Sequence, residues 1–165
     1  GIKYVNAKKH KVKNKYPIQG PYGVAEEGDG DMYNKGSLMI NTLRHHLDNE
    51  PLWDTILKDM NKQFKHKIIQ YNDVVSFFES KTTLNLKPFF SQYVQQAKIP
   101  VLNIKKLKES ESNYEVYFDQ CVPNFELNVY INNEKNLINT SPKSIIIKGK
   151  PIINDLKGYF TIKIN

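Results

Sequence analysis

The chain has 165 residues, enough for one ordinary domain or two small packed units, and 39% of them are hydrophobic, which excludes a wholly disordered protein. No apolar run approaches the roughly 20 residues of a membrane span, and no signal-peptide pattern opens the chain. A single cysteine, Cys121, excludes an internal disulfide framework and a multi-cysteine metal site, and the formal charge of +7 raises the question of a polyanionic partner.

Residues 1 to 30 read first as a short helix-like start around Tyr4 and Val5, then as a basic run of Lys8, Lys9, His10, Lys11, Lys13 and Lys15. No nucleic-acid motif accompanies the run, so its simplest reading is a solvated loop, with a polyanion site as the alternative. Pro17, Gly20, Pro21, Gly23, Gly28 and Gly30 then punctuate a long ordered loop.

Helical periodicity begins at Asp31, a candidate cap, and runs to Leu47, with Gly36, Met39, Ile40, Leu43 and Leu47 expected on the buried face. A glycine inside a helix weakens it, and a close backbone approach at Gly36 is the expected reason. The turn Asp48-Asn49-Glu50-Pro51 leads into a second helix with Trp53, Ile56, Leu57, Met60 and Phe64 as its stripe. A third spans about 72 to 81, with Val74, Phe77 and Phe78 inward. A fourth is expected to start near Asn85 as cap, with Pro88 in its first turn and Leu86, Phe89, Phe90, Tyr93 and Val94 as its stripe.

The character changes near Ile99-Pro100. Tyr114, Val116 and Phe118 alternate with polar or half-polar neighbours. Phe125, Leu127, Val129 and Ile131 do the same. Ile145 to Ile147 is a continuous apolar run, and Phe160, Ile162 and Ile164 close the chain. Asn132-Asn133, Gly149 and Gly158 are expected to supply turns. Several strands at short spacing read as a small antiparallel β-sandwich. Cys121 falls in this strand pattern and reads as a small buried apolar residue. The fold class expected is therefore α+β, helices first and sheet second.

The segment Asp31-Met32-Tyr33-Asn34-Lys35-Gly36, continuing to Leu43-Arg44, resembles the Tyr-x-Lys-Gly segment of the aminopeptidase N (gluzincin) family and the helix behind it. Leu52-Trp53 stands where that family has an aromatic pair, and the stretch from Ile69 to Phe78 is similar to its Val-Thr-Thr-x-Asp-Phe helix start. The run from Asn85-Leu86 through Phe89, Phe90 and Tyr93 to Val101-Leu102 is similar to its Asp-Leu-x-x-Phe-Phe-x-x-Tyr run and strand entry. The resemblance covers about residues 22 to 102. It implies that residues 1 to 97 are the closing helices of a thermolysin-like catalytic domain and that 98 to 165 begin a β-sandwich domain. It also implies a parent metallopeptidase that uses zinc to release N-terminal residues from peptides, with peptides and the upstream part of the same polypeptide as partners and no nucleic acid.

The family's zinc motif is His-Glu-x-x-His followed by a later Glu, because histidines at i and i+4 share a helix face and can hold one ion. None of His10, His45, His46 and His66 precedes a glutamate, and the family's Gly-Ala-Met-Glu-Asn segment is missing as well. The chain is therefore expected to be a C-terminal piece that neither binds the zinc nor cleaves peptides alone. His45 and His46 read as helix-end histidines meeting the negative end of the dipole. The resemblance assigns Tyr33 the role of hydrogen-bond donor to the oxygen on which negative charge develops, and Tyr22 a place along the same cleft. Lys35 and Gly36 are expected to hold the helix in place. Glu26, Glu27, Asp29 and Asp31 form an acidic loop without the order of an EF-hand. A non-catalytic peptide-binding scaffold of the same fold and a basic polyanion-binding module are the alternatives. Substrate preference, oligomeric state and compartment stay open.

Overall fold

A computed structural model describes residues 2–25, 28–109 and 112–165. Among these the chain is mixed α+β, with helices α1 (Ile2–Lys9), α2 (Asp31–Leu47), α3 (Glu50–Phe64), α4 (Tyr71–Ser80) and α5 (Lys87–Phe90). A π-helical turn, Ser91–Gln95, extends α5. Strands follow as β1 (Val101–Lys106), β2 (Asn113–Asp119), β3 (Glu126–Ile131), β4 (Glu134–Asn139), β5 (Ile145–Lys148) and β6 (Thr161–Ile164).

The helix starts are set by local chemistry. Asn49 accepts a hydrogen bond from the Leu52 amide at 3.0 Å and caps α3, with Pro51 in the first turn. Gln70 and Asp73 close a reciprocal capping box on α4. The start of α5 is served from elsewhere. Asn85 does not cap it; Glu79 Oε1 on α4 accepts from the amides of Leu86 and Lys87 at 3.1 and 3.2 Å. Asp31 likewise does not cap α2, whose N-cap is Gly30 at φ 81°; Asp31 is the first helical residue.

The buried stripe of α2 is rotated from the one expected. Leu38, Met39 and Leu43 are inside, but Ile40 is exposed, and Asp31, Lys35, Thr42 and His46 share the interior. A Cβ built on Gly36 meets nothing within 4 Å, so no close backbone approach explains that glycine. The tight position is Gly158, where a Cβ would stand 2.4 Å from the Phe160 ring; it is extended backbone, not a turn.

The strands form a four-stranded sheet in the order β5-β2-β1-β6 and a separate β3-β4 hairpin. Asn132 and Asn133, at φ 53° and 68°, make the tight hairpin turn that their short polar side chains tolerate. The expected all-antiparallel pairing fails at one place: β6 returns parallel to β1, with Val101 opposite Thr161 and Ile104 opposite Ile164. A long connection makes this possible, since the chain crosses the hairpin and a 3₁₀ turn (Asp155–Lys157) before re-entering the sheet. Alternation holds in β2 and breaks at the end of β3, where Tyr130 is buried between Val129 and Ile131. Val116 and Phe118 are buried, as are Phe125, Leu127, Val129 and Ile131. Ile146, by contrast, is exposed within the Ile145–Ile147 run, because β5 is an edge strand with one wet face. Cys121 lies just beyond β2, half-buried, and burial pushes its thiol up to about 11.

One hydrophobic core spans helices and sheets, from Leu43, Trp53 and Phe78 through Phe89 and Tyr93 to Phe118 and Phe125. Aromatic rings chain through it, with Phe89 against Tyr93 at 4.8 Å and Phe118 against Phe125 edge-on at 5.2 Å. Tyr93 is the joint. Its buried hydroxyl donates to the Tyr159 carbonyl at 2.7 Å, and burial holds its ionisation well above the ordinary phenol range.

Candidate functional site

The N-terminal end of α2 is fastened on two sides. Asp31 is 2% exposed, and its carboxylate accepts from the backbone amides of Lys13 and Asn14 at 2.9 and 2.6 Å. A charged acceptor on two amides is stronger than a neutral one and pins the basic loop across the helix start. One turn later Lys35 is fully buried, and its ammonium donates to the carbonyls of Gln96 and Ala97 at 2.8 and 2.6 Å. Burial lowers its pKa to about 8, against the opposing pull of Asp31 and Asp29. Lys35 thus holds the helix in place, as its position in the motif led one to expect.

Tyr33 lies midway between these two anchors. Its amide donates to the Gly30 carbonyl at 3.2 Å and its side chain is 57% exposed. The helix that carries it is fixed from inside by Asp31 and Lys35. Tyr22 stands fully in solvent in the preceding loop. Beside the helix start is a cavity of about 990 Å³ whose walls include Tyr16, Ile18, Pro21, Val24, Asp29 and Met32. Tyr22 and Tyr33 are each next in the chain to a wall residue, Pro21 and Met32 respectively.

The histidines are scattered. His10 follows α1 and is exposed, and His66 sits in a left-handed turn after α3. His46 departs from the expected helix-end role. It is 1% exposed, stacks on Phe89 at 6.0 Å, and its Nδ1 accepts from the Asn128 amide at 3.1 Å. Burial, with Lys135 nearby, pushes its pKa down to about 4. A neutral ring cannot complement a helix dipole by charge; His46 is a structural acceptor that ties α2 to β3. His45 is half-buried and also lowered, first by burial and then by Lys157. Among the described residues no group of three or more His, Cys, Asp or Glu is arranged to hold a metal ion. In the acidic loop, Glu26 and Glu27 lie outside the described residues. Asp29 Oδ1 accepts from the Asp31 amide at 3.1 Å, and Asp31 is engaged by the basic loop.

No protein-family model and no curated protein matches this chain.

A second polar cluster, missed by sequence reasoning, sits at the opposite end of α2. Asp48 caps the helix in the left-handed region at φ 51°. Its carboxylate accepts from the Tyr130 hydroxyl and from Lys135 Nζ, the latter at 2.8 Å, while Lys157 Nζ lies 3.5 Å over the Tyr130 ring. These partners hold Asp48 below the usual carboxylate range, and burial together with Asp48 raises Tyr130. No spacing along the chain links Asp48 with Tyr130, Lys135 and Lys157; the legible polar signal is in α2 itself, where residues 31, 35, 42 and 46 recur at helical spacing along the apolar stripe.

Proposed function

We propose that this chain is the C-terminal part of a zinc aminopeptidase of the aminopeptidase N family, in which Tyr33 stabilises the oxygen that becomes negative during peptide hydrolysis. In this reading residues 1–97 close a thermolysin-like catalytic domain. The β5-β2-β1-β6 sheet and the β3-β4 hairpin belong to the small β-sandwich that follows. Zinc and its ligands belong to the upstream part of the polypeptide, and the substrates are peptides.

The observation that supports the reading is the anchorage of Tyr33. Transition-state stabilisation by a hydrogen-bond donor is effective when the donor is held in place before charge develops. Asp31 and Lys35 flank Tyr33 at i−2 and i+2, both buried and both bonded to other parts of the chain. Tyr33 is 57% exposed on a helix whose backbone is fixed. The chain's own contribution is to present that hydroxyl and to form a wall beside it.

The decisive experiment is to read the source polypeptide upstream of Gly1 and to assay the intact protein. A His-Glu-x-x-His motif with a later Glu, and metal-dependent release of N-terminal residues, is the expected result. In that protein Tyr33→Phe should lower kcat by about 100-fold with KM nearly unchanged, since the lost bond matters mainly in the transition state. An unchanged kcat removes Tyr33 from the chemistry. An upstream region without metal ligands would make the protein a non-catalytic scaffold, and metal-dependent peptidase activity in this chain alone would overturn its assignment as a partial enzyme.

A further inference from the structure

We infer that a hollow at the C-terminal end of α2 binds a small organic anion, a carboxylate or phosphate head carried on an aliphatic body. The inference is independent of the peptidase reading. The hollow lies where α2 ends, α3 begins, α4 ends and the β3-β4 hairpin crosses, and its volume is about 590 Å³. Small-molecule sites are ordinarily roughly 300–1,000 Å³ in size. Its charged side chains other than His46 are Lys81 and Lys135, and among the described residues no carboxylate lines it.

Both ammoniums are held in place from outside the hollow. Lys81 Nζ pairs with Asp59 and Lys135 Nζ with Asp48, each at 2.8 Å, and neither carboxylate is on the wall. An ammonium has three N–H donors, and each pair uses one, which leaves donors for a ligand. His46 forms part of the same wall and is 1% exposed. Its Nδ1 accepts from the Asn128 amide, so the neutral ring carries its proton on Nε2. That Nε2 is buried and has no hydrogen-bond partner among the described residues. A buried donor without an acceptor is uncommon, and an acceptor from outside the chain would satisfy it. Thr83 and Asn49 add neutral donors, while Leu47, Leu52 and Leu84 make the rest of the wall apolar. A cation would meet two ammoniums. A bare inorganic anion would leave the leucines wet. An oxyanion with an aliphatic body answers both sets of groups.

The test is an NMR titration of this isotope-labelled chain with hexanoate, hexyl phosphate, hexylammonium and inorganic phosphate. The two hexyl anions should bind saturably at millimolar concentration or below, and at least about tenfold more tightly than hexylammonium, because the lysines attract one sign of charge and repel the other. The His46 Nε2 signal and the amide signals of Asn128 and Thr83 should move together as either anion is added. Whichever anion binds more tightly names the head group, and either order supports the site. Inorganic phosphate should bind more weakly than hexyl phosphate, because it covers no leucine. The double variant Lys81→Gln, Lys135→Gln should weaken both hexyl anions by about tenfold or more while keeping its circular dichroism spectrum. Three results overturn the inference: equal affinity for hexylammonium and the anions, no saturable shift at millimolar concentration, or shifts that miss His46 and survive the lysine substitutions. Equal binding of inorganic and hexyl phosphate overturns the aliphatic body.

Discussion

The two ends of α2 are both locked to the rest of the molecule by polar groups, but by opposite electrical means. At the N-terminal end the locks are charges taken inside: the Asp31 carboxylate on two amides, and the Lys35 ammonium on two carbonyls. At the C-terminal end the inner lock is a neutral imidazole, His46 on the Asn128 amide, and the charges of Asp48 and Lys135 stay near solvent. A buried charge is tolerated only when its hydrogen bonds are well made, so the N-terminal arrangement is stiff and intolerant of change. The C-terminal arrangement needs no charge inside and is sensitive to acid instead. The stiff end is the one that carries Tyr33.

The comparison can be broken in four places. Asp31→Ala should cost about 4 kcal/mol, because it strands two backbone amides that now donate to a charged acceptor; urea unfolding measures it, and a loss under about 1 kcal/mol would show that the basic loop is not pinned by this carboxylate. Acid should weaken the opposite end by up to about 3 kcal/mol. Folded His46 takes its proton near pH 4 and the unfolded chain near 6.5, so the unfolded state binds more protons in between and stability falls as pH drops through that window. His46→Asn keeps an acceptor without a titrating group, and its stability should be flatter from pH 6.5 to 4 than the wild type's. If both curves have the same slope, the buried imidazole is not the acid-sensitive lock.

Lys35→Ala should cost about 2 kcal/mol, the loss of two hydrogen bonds being partly offset by relief of a buried charge. Its sign with pH is the informative part. The folded pKa is about 8 and the ordinary value 10.5, so the charged form is disfavoured in the folded state and stability gained from this group rises as pH climbs from 8 towards 10.5. Lys35→Met should lose that rise, and a variant retaining it would place the titration elsewhere. Smallest of all, Lys135→Ala should cost about 0.5 kcal/mol and be sensitive to salt, since both members of its pair are partly exposed; a loss several times larger would mean that the C-terminal end is also held by charge.

Much of the fold was legible in residue order. The bounds of α2, the turn that leads through Pro51 into α3, the stripe of Trp53 and Ile56, the switch from helix to strand at Ile99-Pro100 and the turn at Asn132-Asn133 all follow from periodicity and turn chemistry. The candidate site was legible only in part. Lys35 was expected to anchor the helix, but its partners, Gln96 and Ala97, are about sixty residues away. Asn85 and Asp31 looked like caps because both residue types cap helices, yet Leu86 and Gly30 hold those positions and Glu79, from α4, accepts the first amides of α5. His46 looked like a helix-end histidine meeting the dipole because nothing local reveals that β3 will bring the Asn128 amide to its ring.

The sequence by itself determined which segments coil and which extend, because hydrophobic period, turn residues and most helix caps act over a few neighbours. Only the tertiary structure decided which polar side chains go inside and that β6 runs parallel to β1. The reason is physical: a buried charge or amide is stable only with a partner, and here the partners of Asp31, Lys35 and His46 come from 17 to 82 residues away.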